Sequence, residues 1–325
     1  MKNYPKQTIY NIGSDCLEVG ISDVGACLQY IRLKTPNGYR DMCLGFNSLQ
    51  DRIESETYCG AVIGRISNRI ANAQYTLNGQ TYKLTPNNGT NTLHGGVEGF
   101  DSRLFDVCER DNCVQMTLIS PDGDQGFGGT LKFTVTFCVQ GNALDVTFHA
   151  VSDSDTVWAP TMHPYFNLGC ADGIFDTVLQ INANEYTPMD DRQIPTGEVA
   201  PVKGTVFDFT MPKAIGKDFD LASGPLARTH GYDHNFVLNG EHAVTAYNTS
   251  SGVKMDIYTN LPGLQFYSGN YFKGRNGDKE YKPFDGFALE PQFFPNSVNQ
   301  QGFKKPLLKA GEPKQYYIRY VFNNI

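Results

Sequence analysis

No stretch of this 325-residue chain stays apolar for the roughly 20 residues that a membrane-spanning helix requires. Runs of Lys or Arg are missing too. The 27 basic residues are outnumbered by 34 acidic ones, the formal net charge is −7 and the pI is near 5.4, a balance that argues against nucleic acid or an anionic membrane surface as partner. A neutral small molecule fits better. The chain also lacks a G-x-x-x-x-G-K-[ST] phosphate loop and a G-x-G-x-x-G opening a helix after a strand, so the usual nucleotide cradles are absent. An HGG tripeptide stands at 94–96, but no G-x-S-x-G nucleophile elbow accompanies it, which argues against a serine hydrolase. Cysteine is not scarce, at eight residues, yet no two form a C-x-x-C pair. The N-terminal MKNYPKQTIYNIGSDC has no apolar signal core. We therefore expect a cytoplasmic protein whose cysteines are reduced, packed thiols, with neither disulfide nor structural zinc.

Helical periodicity is almost absent; SLQDRIESE, residues 48–56, is the one short segment that reads as a helix. Strand patterns recur instead. Leu131, Phe133, Val135, Phe137 and Val139 alternate with polar or small residues, Gly141-Asn142 turns the chain, and Leu144, Val146 and Phe148 resume the alternation. Asn37-Gly38, Asn78-Gly79 and Ser251-Gly252 tolerate the backbone of tight hairpin turns and predict three more hairpins. QYYIRYVF carries the same alternation almost to the last residue. No linker or fixed-period repeat divides the chain, so the expectation is an all-β fold, one large antiparallel sandwich domain over 1–325.

Four polar islands lie among aromatic or apolar residues: GRISNRIA (64–71), TMHPYFNLG (161–169), GYDHNF (231–236) and FALEPQFFP (287–295). An ionisable group in such a setting costs free energy unless it is paired or used. His163, Asp233 and Glu290 stand out on that ground. Together with His94, Asn68 and Arg69 they supply proton-exchanging and hydroxyl-binding groups, a set suited to a polyhydroxylated neutral ligand. Two other patterns read as structural. SPDGDQGFGG lacks the distal glutamate of a calcium loop, and His230 with His234 lacks the glutamate of a zinc helix. No metal is expected. The basic stretch YFKGRNGDKEYKP, 271–283, reads as a solvated loop, since Asp278 and Glu280 are interspersed.

In this order, GRISNRIANAQYTLNGQTYKL, NNGTNTLHGG, SPDGDQGFGG, HPYFNL, YDHNF, LPGLQFYSGN, ALEPQFFPNSVNQ and LLKAGE resemble the aldose 1-epimerase (galactose mutarotase) family from about residue 60 to 315. The resemblance implies a supersandwich that interconverts the α and β anomers of free hexoses, such as galactose and glucose, without cofactor or metal. It implies that Glu290 is the base at the C1 hydroxyl and His163 the acid at the ring oxygen, with the two exchanging roles on closure. By the same match His94 hydrogen-bonds the sugar, and Asn68, Arg69, Asp233 and Gln265 hold its hydroxyls. Catalysis then calls for an ionised Glu290 and an imidazolium at His163, and Gly95 and Gly96 are expected to clear space for the ring. The alternatives are a non-enzymatic sugar-binding or sensor protein on the same scaffold, or an epimerase for a phosphorylated hexose. The sequence does not fix the preferred aldohexose or the oligomeric state.

Overall fold

The computed structural model describes residues 6–170 and 172–325. Two antiparallel sheets dominate. One has nine strands, in the order Asp106–Arg110, Cys113–Ser120, Leu131–Gln140, Ala143–Ser152, Lys314–Asn324, Val253–Thr259, His242–Asn248, Val178–Ile181 and Lys213–Ala214. The other has seven, in the order Ala200–Pro201, Glu185–Tyr186, Asp233–Val237, Gly263–Tyr267, Phe287–Gln292, Tyr165–Phe166 and Cys43–Leu44. A four-stranded sheet, Ile9–Gly13 to Gly38–Asp41, flanks them.

The alternation read from the sequence sets the burial. Leu131, Phe133, Val135, Phe137 and Val139 are all buried, as are Tyr316, Ile318, Tyr320 and Phe322 on the last strand. Their faces meet the second sheet in one core: Tyr320 packs on Phe166 with ring centroids 5.5 Å apart, and Phe209 on Phe266 at 5.7 Å. All four anticipated turns join antiparallel neighbours. The anticipated helix is Leu49–Glu54, where the Ser48 side chain accepts the Asp51 amide as an N-cap. A second short helix, Gly224–Thr229, carries no apolar periodicity and was not anticipated. Among the described residues no helix is long and apolar enough to cross a membrane.

The cysteine expectation is wrong in one pair. Cys113 and Cys138 form a disulfide, their Cα atoms 4.2 Å apart. They are 25 residues apart in sequence but directly opposed on adjacent strands. That register, invisible to spacing rules, is what brings the sulfurs together. Cys27, Cys43 and Cys59 are the buried thiols expected, and burial pushes Cys43 up to about 12.

Candidate active site

Three adjacent strands of the seven-stranded sheet supply one wall of the site. Glu290 pairs in register with Gln265, and Gln265 with Asn235, so three polar side chains follow one another across Phe287–Gln292, Gly263–Tyr267 and Asp233–Val237. His163 arrives where the chain passes between pairings. Thr161–Met162 pairs with Val62–Ile63, and Tyr165–Phe166 pairs with both Phe287–Gln292 and Cys43–Leu44. Backbone bonds on either side hold it: the His163 amide donates to the Ala61 carbonyl, and the Gly60 amide to the His163 carbonyl.

His94 and Asn68 come from a second place, the short pairing of Thr92–Leu93 with Arg69–Ile70. Both have left-handed backbone, φ 50° and 60°. There the Asn68 amide donates to Nδ1 of His94 at 3.2 Å, and the His94 amide returns to the Asn68 carbonyl at 3.1 Å. The glycines beside His94 serve the chain and not a ligand. A Cβ on Gly95 would lie 1.9 Å from the Gly64 carbonyl oxygen, and one on Gly96 would lie 2.7 Å from the Gln125 side chain. Neither lines the cavity, which corrects the expectation that they clear space for a sugar.

These groups converge on an open cavity of about 390 Å³ lined by His94, His163, Glu290, Asn68, Arg69 and Asp233. Gln265, expected among them, stands one layer behind: it is 3% exposed and donates to Asp233 Oδ1 at 2.6 Å. Asp233 Oδ2 lies 3.8 Å from the Arg69 guanidinium. Nε2 of His163 is 3.6 Å from Glu290 Oε1, and the His94 and His163 rings meet edge to face at 5.4 Å. No sequence pattern pointed to Tyr58, whose ring lies 4.7 Å from that of His94, or to Asn88 and Gln193, which bond Arg69 from loops.

The other motifs are structural. Buried Arg65 of GRISN donates to the carbonyls of Ser120, Gly128 and Gly129. Asp122 and Asp124 accept bonds from the Gly129 amide and from Arg103. His230 is exposed at a helix end while His234 is buried in a strand, so they share no helical face. Within 271–283, Lys273 reaches the cavity, where it lies 3.6 Å from Glu56.

Burial governs the protonation states. It lowers His163 to about 4, sends His94 well below its ordinary value, and raises Glu290 well above the carboxylate range, with the Asp233 charge adding to the rise and Arg69 opposing it. Nδ1 of His163 and Oε2 of Glu290 are buried without hydrogen-bond partners, so neither charged form is supported there. Both shifts run against the carboxylate and imidazolium expected at the start of the reaction, so those charged forms need hydrogen bonds that the wall itself does not supply.

His94, His163 and Glu290 each present a ligand atom within 4.8 Å of the others, a spacing compatible with a metal. The tautomer of His94 speaks against it. Its Nδ1 accepts the Asn68 amide and so carries no proton; the proton of the neutral ring is on Nε2, which donates rather than ligates.

A family model described as aldose 1-epimerase matches residues 8–321. Galactose mutarotase from Homo sapiens is 39% identical over 328 residues, covering 97% of this chain and 93% of that protein. Aldose 1-epimerase from Escherichia coli K12 is 37% identical over 317 residues, covering 94% and 91%. Among solved structures, an aldose epimerase homologue from C. elegans superposes with a TM-score of 0.92 at 27% identity, covering 98% of this chain and 100% of that one.

Proposed function

The chain belongs to the aldose 1-epimerase family, and on that premise we propose that Glu290 and His163 perform the proton transfers by which it interconverts the α and β anomers of a free aldohexose. It is an aldose 1-epimerase, an isomerase acting on a monosaccharide. The observation that carries the assignment of roles is the Glu290–His163 pair, 3.6 Å apart and buried in the cavity wall.

The steps follow from that pair. In the reactive state Glu290 is the carboxylate and His163 carries the proton, and hydroxyls of the bound sugar donate to the carboxylate. The carboxylate then takes the C1 hydroxyl proton while His163 protonates the ring oxygen, so that the C1–O5 bond breaks and C1 becomes an aldehyde. Rotation about C1–C2 and reversal of both transfers close the ring on the other face. Each group returns to its starting state, and general acid and base contribute about 10²–10⁴-fold apiece. His94, a fixed Nε2–H donor, supports the oxygen on which charge develops.

Asn68, Arg69 and Asp233 line the cavity and hold the hydroxyls, with Gln265 acting through Asp233. One buried cluster running from Ile12 to Phe322 supports reading the chain as a single sandwich domain. A phosphorylated substrate is disfavoured, because Asp233 and Glu290 face the cavity and Lys273 already meets Glu56.

Exchange NMR on an equilibrium mixture of galactose anomers tests the reading. Protein-dependent cross-peaks between the two anomeric protons, lost in Glu290→Gln, are expected. Sugar binding without faster exchange would make the protein a binder and not an isomerase for that sugar.

A further inference from the structure

Three side chains hold the guanidinium of Arg69. Nε donates to Asn88 Oδ1 at 3.2 Å, Nη2 to Oε1 of Gln193, and Nη1 lies 3.8 Å from Asp233. Because arginine only donates, Gln193 must turn its carbonyl oxygen toward it, which points the NH₂ group elsewhere. Among the described residues that NH₂ has no protein acceptor, and Gln193 lines the cavity.

Its loop, between Glu185–Tyr186 and Ala200–Pro201, is built to hold this position. Asp190 Oδ1 accepts the amides of Arg192 and Ile194, the Gln193 amide donates to the Asp190 carbonyl, and Gln300 reaches across to the Pro195 carbonyl. Gln193 itself has φ 60°.

Its place relative to the reacting carbon follows from the sheet. Glu290, Gln265 and Asn235 are in register on successive strands, and the Thr187 amide continues the row by donating to the Asn235 carbonyl at 3.0 Å. Thr187 leads into the loop carrying Gln193. Glu290 stands on the first strand of that row and Gln193 on the loop that follows its last member, and both line the same cavity, so a ring whose C1 sits at Glu290 has room to extend toward Gln193.

We propose that Gln193 is a specificity-determining sugar contact, its carboxamide N–H groups donating to a ring hydroxyl remote from C1, beside Arg69. This rests on the assignment of Glu290 to C1. Gln193 takes no part in proton transfer. Its contact is made equally in ground and transition states, so its loss raises KM and leaves kcat nearly constant.

The test uses the isosteric Gln193→Glu, which retains an acceptor for Arg69 and removes both N–H donors, together with Gln193→Ala. KM, kcat and calorimetric Kd are measured for galactose, glucose and the 3-, 4- and 6-deoxy galactoses. Both variants are expected to weaken galactose binding roughly three- to tenfold with kcat within about twofold. One deoxy sugar, the one lacking the contacted hydroxyl, should be insensitive to the substitution, as a thermodynamic cycle requires. An equal loss for every sugar, a fall in kcat matching the rise in KM, or no change in Kd would overturn the proposal. If the wild type binds sugar without turnover, the isomerase reading fails, while the deoxy-sugar affinities still decide the role of Gln193.

Discussion

Asn68 and His94 face each other through two hydrogen bonds, the Asn68 amide to the imidazole Nδ1 and the His94 amide back to the Asn68 carbonyl. The first of these fixes the tautomer. Protonating Nδ1 would set two N–H groups against each other, and burial opposes charge at either nitrogen. His94 is accordingly predicted to stay neutral and Nε2-protonated, with imidazole nitrogen shifts that do not change between pH 5 and 8. A titration midpoint near 6 would contradict this.

Burial of His163 and His234 has a consequence for acid stability. Their folded values, about 4 and about 3, lie below the 6.5 of the unfolded chain, so the unfolded state binds more protons as the pH falls through that window. Stability held above pH 6.5 is therefore lost progressively toward pH 4. His234 lies outside the cavity, in the wall behind it, with its ring 4.2 Å from Phe207. Denaturant melts from pH 7 to 4 should show His234→Gln losing less stability than the wild type over that range; parallel losses would argue against the burial account.

Gly95 is predicted to tolerate no side chain. A methyl group there would meet the Gly64 carbonyl at 1.9 Å, and the backbone has φ 91°. Gly95→Ala should be poorly folded or strongly destabilised, whereas Gly79→Ala, at a turn with open space around it, should cost only about 1 kcal/mol from its positive φ. Thermal melts of the two variants check the contrast, and near-wild-type stability of Gly95→Ala would refute it.

The sheets were legible because burial on one face leaves a period of two in the sequence, as Leu131 to Val139 show. Asn78-Gly79 was legible because its turn demands unusual backbone. The site was legible where polar residues interrupt apolar strands: Glu290 in FALEPQ is the clearest case. Gln193 was not, since a glutamine in a polar loop leaves no pattern until the fold brings it across 124 residues to Arg69. The Cys113–Cys138 bond was hidden for the same reason, because strand register is a property of the folded sheet. The pKa shifts of Glu290 and His163 were not legible because the extent of their burial is likewise set by tertiary packing.

Glu290 and His163 are predicted to exchange the two protons of ring opening and closure. Polarimetry of freshly dissolved α-D-galactose at neutral pH tests it most directly, with wild type, Glu290→Gln and His163→Gln compared against buffer. The wild type should speed relaxation to an unchanged final rotation, and each variant should lose on the order of 10²-fold or more of that acceleration. A Glu290→Gln or His163→Gln protein that is folded and relaxes the sugar within a few-fold of the wild-type rate would contradict the account.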